Sequence, residues 1–383
     1  MDVHDEFFEL LLHTMISSTD DAAQARDKLI KLRDWLLNNV PSKLYRFRSP
    51  SEHSFEALVS DQIWGSRIDT FNDPFENEPC YDLDALIEWL KTEFCCSLEN
   101  ALKRLKLVQQ GSVPEGVLRW MQQGSTDNVD SVIGRLKGID LDDSAVMNNF
   151  GLIQLFILKQ LPGLIPGLPE AFFKNVLWAR QQRYAACFSE EFKATLMWAH
   201  YARCHEGFCI EYDFKKYLKG CEENCGNILG CHNFMLNLTL APVHYSGSRF
   251  DATNFLKTIF QQELGTRLNV SLPPYHADVL FMTKALLVKS EDWSYEKEWR
   301  LISPPENESK EEPPRSKLLT RTPPTAVYIG ARASSETEEK LEYICNLKHI
   351  PCYKMVQSHT TSKFDLEPMP YSEYKRYVQQ NQQ

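Results

Sequence analysis

Trp293-Ser294-Tyr295-Glu296-Lys297-Glu298-Trp299-Arg300-Leu301-Ile302 is the stretch on which the fold turns. Apolar and charged residues alternate through it, the period of a strand whose successive side chains point to opposite faces. Read as one strand, it turns Tyr295, Lys297, Trp299 and Leu301 one way and Glu296, Glu298, Arg300 and Ile302 the other. Two carboxylates and a guanidinium then share a face, with same-face neighbours about 6.5–7 Å apart. Such a face meets water or a polar ligand, while Trp293 and Trp299 argue that the strand sits in a core. Taken alone, the segment has two readings. One is a surface strand whose charges pair with a neighbour. The other is the wall of a site where a carboxylate stabilises a developing cation, as glycosidic cleavage requires.

On both sides of this segment, strands and helices mix without regular βαβ alternation. Strands are predicted over 44–48, 63–68, 184–189, 207–212, 238–245 and 326–330, with 351–357 the last clear one. Helical spacing runs through 5–39, broken at Ser17-Ser18-Thr19-Asp20, and Ser51 reads as the cap of another helix. Further helices are predicted over 193–203, 251–266, 276–288 and from Ser334 to about Leu347. The Pro-, Glu-, Lys- and Ser-rich stretch 304–324 reads as a solvated loop. The fold class is therefore α+β, with a mixed, mainly antiparallel sheet core. Its parts are an N-terminal helical hairpin over 1–41, an α+β domain over 42–81 and 183–370, and a large helical insertion over 82–182.

The chain has 383 residues and a net charge of −10, which counts against non-specific nucleic-acid binding. Eleven scattered cysteines, an odd number, point to reduced thiols, and Met1 to Glu6 do not read as a signal peptide. A cytosolic compartment is expected. No apolar run reaches the roughly 18 residues of a membrane span. Cys221, Cys225, Cys231 and His232 carry zinc-ligand chemistry, but their spacing lacks the paired C-x2-C pattern, so free thiols and no bound metal are expected. No Walker A, Gly-rich dinucleotide fingerprint, H-E-x-x-H or G-x-S-x-G is present, which disfavours P-loop NTPases, Rossmann dehydrogenases, zincins and α/β-hydrolases.

Two more segments carry site chemistry. In Leu196-Met197-Trp198-Ala199-His200-Tyr201-Ala202, helical spacing puts Met197, His200, Tyr201 and Cys204 on one stripe. His200 there is a general base, a substrate donor or a packed core histidine. Gly207 reads as the helix C-cap. In Phe71-Asn72-Asp73-Pro74-Phe75-Glu76, Asn72 and Asp73 hold either a ligand hydroxyl or the loop's own amides, with both Phe residues as anchors.

Taken together, Tyr45-Arg46-Phe47, Phe71-Asn72-Asp73-Pro74-Phe75-Glu76, Cys187-Phe188-Ser189, Met197-Trp198-Ala199-His200-Tyr201-Ala202, Gly207-Phe208-Cys209-Ile210-Glu211-Tyr212, Trp293 to Arg300 and Ile329-Gly330 resemble the DUF2971 family over about 43–357. That family is named for its unknown function. A strand bearing Tyr45-Arg46, the strand with Trp64-Gly65-Ser66 and a late strand glutamate also resemble the ADP-ribosyltransferase superfamily. This second resemblance implies NAD as substrate. It gives Arg46 the NAD ribose or phosphate, Glu298 the ribose 2′-hydroxyl and the developing cation, and Glu296 the activation of the acceptor. The residue beneath nicotinamide stays open between Ser66 and Tyr201. The catalytic set is then Glu298, Glu296 and His200, and the binding set Tyr45, Arg46, Ser66, Asn72, Asp73 and Tyr201.

The function that follows is transfer of ADP-ribose to a protein or nucleic-acid acceptor, or NAD hydrolysis, in a stress or phage-defence setting. One alternative is a non-catalytic module that binds a nucleotide or a partner. Another is a Mg²⁺ nuclease gathering Asp73, Glu76, Glu211 and Glu298.

Overall fold

The computed structural model describes residues 2–17, 20–89, 174, 176–177, 179–219, 240–259, 278–304, 313–358, 362 and 364–381. The helices expected across 90–173, and the Cys221, Cys225, Cys231 and His232 group, lie outside the described residues.

Ten of the described strands form one mainly antiparallel sheet. They are β1 (Leu44–Arg48), β2 (Gln62–Arg67), β3 (Tyr184–Ser189), β4 (Phe208–Tyr212), β5 (Leu240–Pro242), β8 (Glu298–Ile302), β9 (Ser316–Arg321), β10 (Ala326–Ile329), β11 (Cys352–Gln357) and β12 (Leu366–Pro370). Their order is β12-β11-β10-β4-β1-β3-β2-β9, with β8 pairing β3 and β5 outside that path. Only β10 and β11 run parallel within it, joined over the crossover helix α8 (Ser335–Lys348). A short parallel pair, β6 (His244–Ser246) and β7 (Val288–Ser290), stands beside the main sheet. The architecture is α+β, as the irregular alternation of elements implies.

The sheet forks at β3. One edge of β3 pairs with β8 from Ala185 to Ser189. The other edge is shared. Arg67 and Ser66 of β2 pair with Tyr184 and Ala185 at one end, and Tyr45 of β1 pairs with Ser189 at the other. Among the described residues, no strand stands opposite Ala186, Cys187 and Phe188 on that edge, and the gap between β1 and β2 opens a cleft.

Strand alternation sorts the two faces. Leu44, Phe188, Phe208, Ile210, Trp299 and Leu301 enter one continuous core. Tyr45, Phe47 and Cys209 enter a second cluster under α5 (Thr195–Tyr201), where Trp198 meets Phe47 edge-on with ring centroids 5.2 Å apart. Two close approaches need glycine. A Cβ on Gly207 would stand 2.1 Å from the Arg48 carbonyl oxygen, and one on Gly330 2.2 Å from that of His205. Gly207 does close the turn after α5, its N–H donating to Ala202 at 2.8 Å, but the absence of a side chain serves the neighbouring strand.

The N-terminal hairpin consists of α1 (Val3–His13), capped by Asp2, and α2 (Ala22–Asn39), begun by a capping box of Asp21 and Gln24. Phe7, Phe8, Leu11, Leu32 and Leu36 share the core that holds Trp299. His4 donates through Nδ1 to the Val243 carbonyl (2.7 Å), and its Nε2 lies 3.3 Å from Glu190. Buried Lys284, on α7 (Phe281–Leu286), donates to the Thr14 carbonyl at 2.9 Å beyond the end of α1.

Several sequence readings change. Residues 293–302 are not one strand: Glu291–Glu296 form a 3-10 turn, Lys297 takes left-handed angles (φ 44°), and β8 begins at Glu298. The Ser290 side chain, accepting from the Asp292 N–H, starts that turn and overrides the alternating pattern. Trp293 is consequently half-buried beside Lys289 rather than in the core. The described part of the expected 238–245 strand, from Leu240 onward, splits between β5 and β6, because Val243 donates to the Glu298 carbonyl and His244 turns to Leu287. Part of the expected loop 304–324 is β9, an edge strand whose polar outer residues suit an exposed edge. Residues 351–357 are not the last strand, since β12 and α9 (Tyr371–Asn381) follow. In the 71–76 turn, Phe71 packs inward while Phe75 is 65% exposed and anchors nothing.

Candidate active-site cleft

The fork opens into a cavity of about 400 Å³. Tyr45, Arg46, Ser66, Asn72, His200, Tyr201, Glu296 and Glu298 all line it, although they come from β1, β2, the 71–76 turn, α5 and the approach to β8. Asp73 is the exception: it is buried off the cleft wall, where its carboxylate accepts from the Phe75 N–H at 2.9 Å and holds the turn.

The floor is a cluster of buried ions. Left-handed Lys297 turns the chain so that Glu296 and Glu298 converge rather than stand two positions apart on a strand. The Lys289 ammonium of β7 lies 2.6 Å from Glu296, 3.0 Å from Glu298 and 3.6 Å from Glu76. Arg300 donates through Nε to Glu298 at 2.8 Å and through Nη2 to Glu76. Tyr201 donates its hydroxyl to the other oxygen of Glu296 at 2.6 Å. Ser189 ties down the Glu296 carbonyl at 2.6 Å, and the Glu298 N–H donates to the Tyr245 hydroxyl at 2.8 Å. Three carboxylates thus face two cations, so the fully ionised cluster carries one net negative charge.

That imbalance divides the carboxylates. Burial, and then the charge of Glu298, push Glu296 up to about 7 against the pull of Lys289 and Tyr201. Burial also acts upward on Glu298, but Arg300 and Lys289 overcome it and hold that carboxylate well below its usual range. Glu298 is therefore a fixed anion and Glu296 a group that exchanges its proton near neutrality. Cys187 opens on the cavity beside Glu298; its position deep in the cleft and the Glu298 charge push its thiol up, so it is not a ready nucleophile.

The cleft also has a cationic side. Arg46 and Arg48 project from the face of β1 opposite to Tyr45 and border the cavity through the fork. Arg46 lies over the Phe188 ring at 5.8 Å and donates to the Trp64 carbonyl at 2.5 Å. Burial and the neighbouring Arg48 bring it down to about 10, so it stays protonated at neutral pH. No described carboxylate pairs with either guanidinium. His200 stands exposed at the rim, its ring 6.3 Å from Trp293 and 6.5 Å from Tyr295. Ser66 is exposed on the wall.

The acids invoked for a Mg²⁺ nuclease do not gather. Glu211, Tyr45, Ser189 and Glu298 pair in one row across β4, β1, β3 and β8. Three strand spacings separate Glu211 from Glu298, roughly 14 Å. Glu211 accepts from Tyr328, Thr325 and Lys43, and the point where Glu76, Glu296 and Glu298 converge holds the Lys289 ammonium.

The family model described as Protein of unknown function (DUF2971) matches residues 197–301. The similarity to DUF2971 covers residues 197–301. It is narrower than the 43–357 span of the motif resemblance, yet it supplies His200, Tyr201, Lys289, Glu296, Glu298 and Arg300. Arg46, Ser66, Glu76 and Cys187 reach the same cleft from the preceding chain. No curated protein and no solved structure matches the chain. No helix among the described residues is long and apolar enough to cross a membrane.

Sequence reasoning missed Lys289, Arg48 and Cys187 as cleft residues. Lys289 follows the apolar run Ala285-Leu286-Leu287-Val288, which reads as core packing and offers no signal of a site. Glu76 was within the quoted turn motif, but nothing local tells that it reaches Arg300, 224 residues away.

Proposed function

We propose that this protein consumes NAD, as an ADP-ribosyltransferase or an NAD glycohydrolase. The observation that carries the reading is the polarity of the cleft. Arg46 and Arg48, without carboxylate partners among the described residues, border the cavity from one face of the sheet, and Glu298 of the net-negative Glu76, Glu296 and Glu298 group stands on the other. A nicotinamide dinucleotide is polar in the matching sense: an anionic pyrophosphate at one end, and at the other a ribose that becomes cationic as the glycosidic bond breaks.

In this reading the bond from ribose C1′ to the nicotinamide nitrogen breaks, and nicotinamide leaves with the electron pair. Glu298, held ionised by Arg300 and Lys289, stabilises the positive charge on the ribose and accepts a hydrogen bond from its 2′-hydroxyl. Glu296 takes the proton from water or from the acceptor that closes on C1′. Tyr201 is engaged by Glu296, which leaves exposed Ser66 the better candidate to face nicotinamide. The protein mixed with NAD is expected to release nicotinamide, with E298Q slower by about 10²–10³-fold and R48Q raising KM. No release with water or any acceptor, or release unchanged in E298Q, overturns the reading.

One observation favours a second reading. Both oxygens of Glu298 already accept from Arg300 and Lys289, an arrangement equally suited to a rigid wall that binds a nucleotide without turning it over. A raised melting temperature with NAD and no nicotinamide release supports that alternative.

A further inference from the structure

We infer that Lys289 is the positioning residue of the cleft, its single ammonium fixing the tips of Glu76, Glu296 and Glu298 around one point of the wall. The inference rests on the proposed function for its catalytic meaning, but its geometry and its test stand apart from any substrate.

Arg300 serves Glu298 and Glu76 and makes no bond to Glu296 among the described residues. Lys289 is the cation in contact with Glu296, and it also touches the other two acids. It lies 5.0 Å from the Trp293 ring centroid and is almost sealed from solvent. Its place is set by the β6–β7 pair, where Lys289 is in register with Tyr245, the residue whose hydroxyl accepts from the Glu298 N–H. Lys289 therefore links the 71–76 turn, distant in sequence, to three successive segments of the chain: β7, the 3-10 turn and β8. Its neighbours forbid a neutral substitute. Without the ammonium, three buried carboxylates share one guanidinium, and the fully ionised cluster moves from one net negative charge to two.

The consequence falls on Glu296. The titratable and charged groups around it are Glu298 and Arg300 of β8, Tyr201 of α5, Tyr245 of β6, Tyr295 of its own turn and Glu76 across the ammonium. Tyr201 donates to Glu296 but carries no charge. Removing the Lys289 charge therefore takes away the cation in contact with Glu296 that offsets the Glu298 charge there, and Glu296 then holds its proton to higher pH.

The test is a carboxyl titration in the full chain labelled with ¹³C-glutamate, with the Glu296 resonance assigned from E296Q. K289M is expected to move the Glu296 midpoint up by at least one pH unit, a tenfold gain in proton affinity, while K289R leaves it within half a unit of wild type. If K289M fails to fold, K289M/E76Q removes one acid with the ammonium and keeps the ionised cluster at one net negative charge; its midpoint is still expected above wild type. An unmoved Glu296 midpoint in whichever variant folds, or equal shifts in K289M and K289R, overturns the inference. Nicotinamide release measured alongside separates the two claims. If wild type releases none, the functional reading falls while the titration still decides the role of Lys289. If it does, the acid limb of the pH–rate profile moves upward in K289M and not in K289R.

Discussion

Glu296 and Glu298 sit two residues apart, share a cation and hold protons very differently. The difference comes from their second contacts: Arg300 for Glu298, a neutral tyrosine hydroxyl for Glu296. With Glu296 raised to about 7 and acting as base, turnover should climb from pH 6 to 8 as it ionises, and E296Q should flatten that rise. Tyr201→Phe removes a donor to the ionised form, so the rise is expected to move to higher pH. Both outcomes are read from pH–rate profiles. The residue between them is Lys297, whose left-handed backbone costs an L-residue about 1–2 kcal/mol. K297G should be neutral or stabilising, and K297V destabilising by about 1–2 kcal/mol with loss of cleft alignment, as seen in thermal melts and turnover.

Among the elements, β1 and β4 depend on Gly207, since a methyl group there runs into the Arg48 carbonyl. G207A is expected to cost about 3 kcal/mol, near the top of the usual overpacking range, and to lower the melting temperature. Helix α1 is held by a pH-dependent contact. Burial lowers the His4 imidazole, but the Glu190 hydrogen bond and the Val243 carbonyl overcome it and leave it above its ordinary 6.5. Glu190 is depressed by His4 and Trp299 despite its own burial. The His4 contribution is complete below pH 6.5 and is lost as pH rises through the folded-state value; the Glu190 contribution is lost as pH falls below about 4.5. The stability lost in H4Q should therefore be largest between those limits and shrink toward pH 8, measured by urea melts at stepped pH.

Most of these elements were legible because their signals are local. The strands over 44–48, 184–189 and 326–329 alternate or run apolar between polar turns, and Ser51 and Ser334 cap helices with their own hydroxyls. The 3-10 turn before β8 was not legible, because its sequence keeps a strand period while a Ser290 cap and one left-handed residue redirect the chain. The cleft was legible as a set of residue types that included Arg46, yet two of its cations were not: Lys289 and Arg48 are placed by strand pairing that no local pattern announces.

At the scale of the whole molecule, the N-terminal hairpin and the sheet share one apolar core, with Phe7, Phe8 and Leu36 on the same cluster as Phe188 and Trp299. Removing residues 1–41 exposes that cluster. The truncated chain is expected to lose the single cooperative melt of the full chain and to bind a hydrophobic dye. The fork in the sheet has a consequence of a different kind. Tyr184 accepts from Ser303 and the Glu190 N–H donates to Lys297, both across the β8 side of β3. Strand alternation then turns the N–H and C=O of Cys187 the other way, into the gap between β1 and β2. A strand otherwise laced on both edges thus carries one residue whose N–H and C=O face an open cleft. Its amide hydrogen should exchange with solvent deuterium faster than those of Ala186 and Phe188, and slow when any molecule fills the gap. Cys187 is in that sense a built-in occupancy gauge, able to report a ligand that is bound and never transformed.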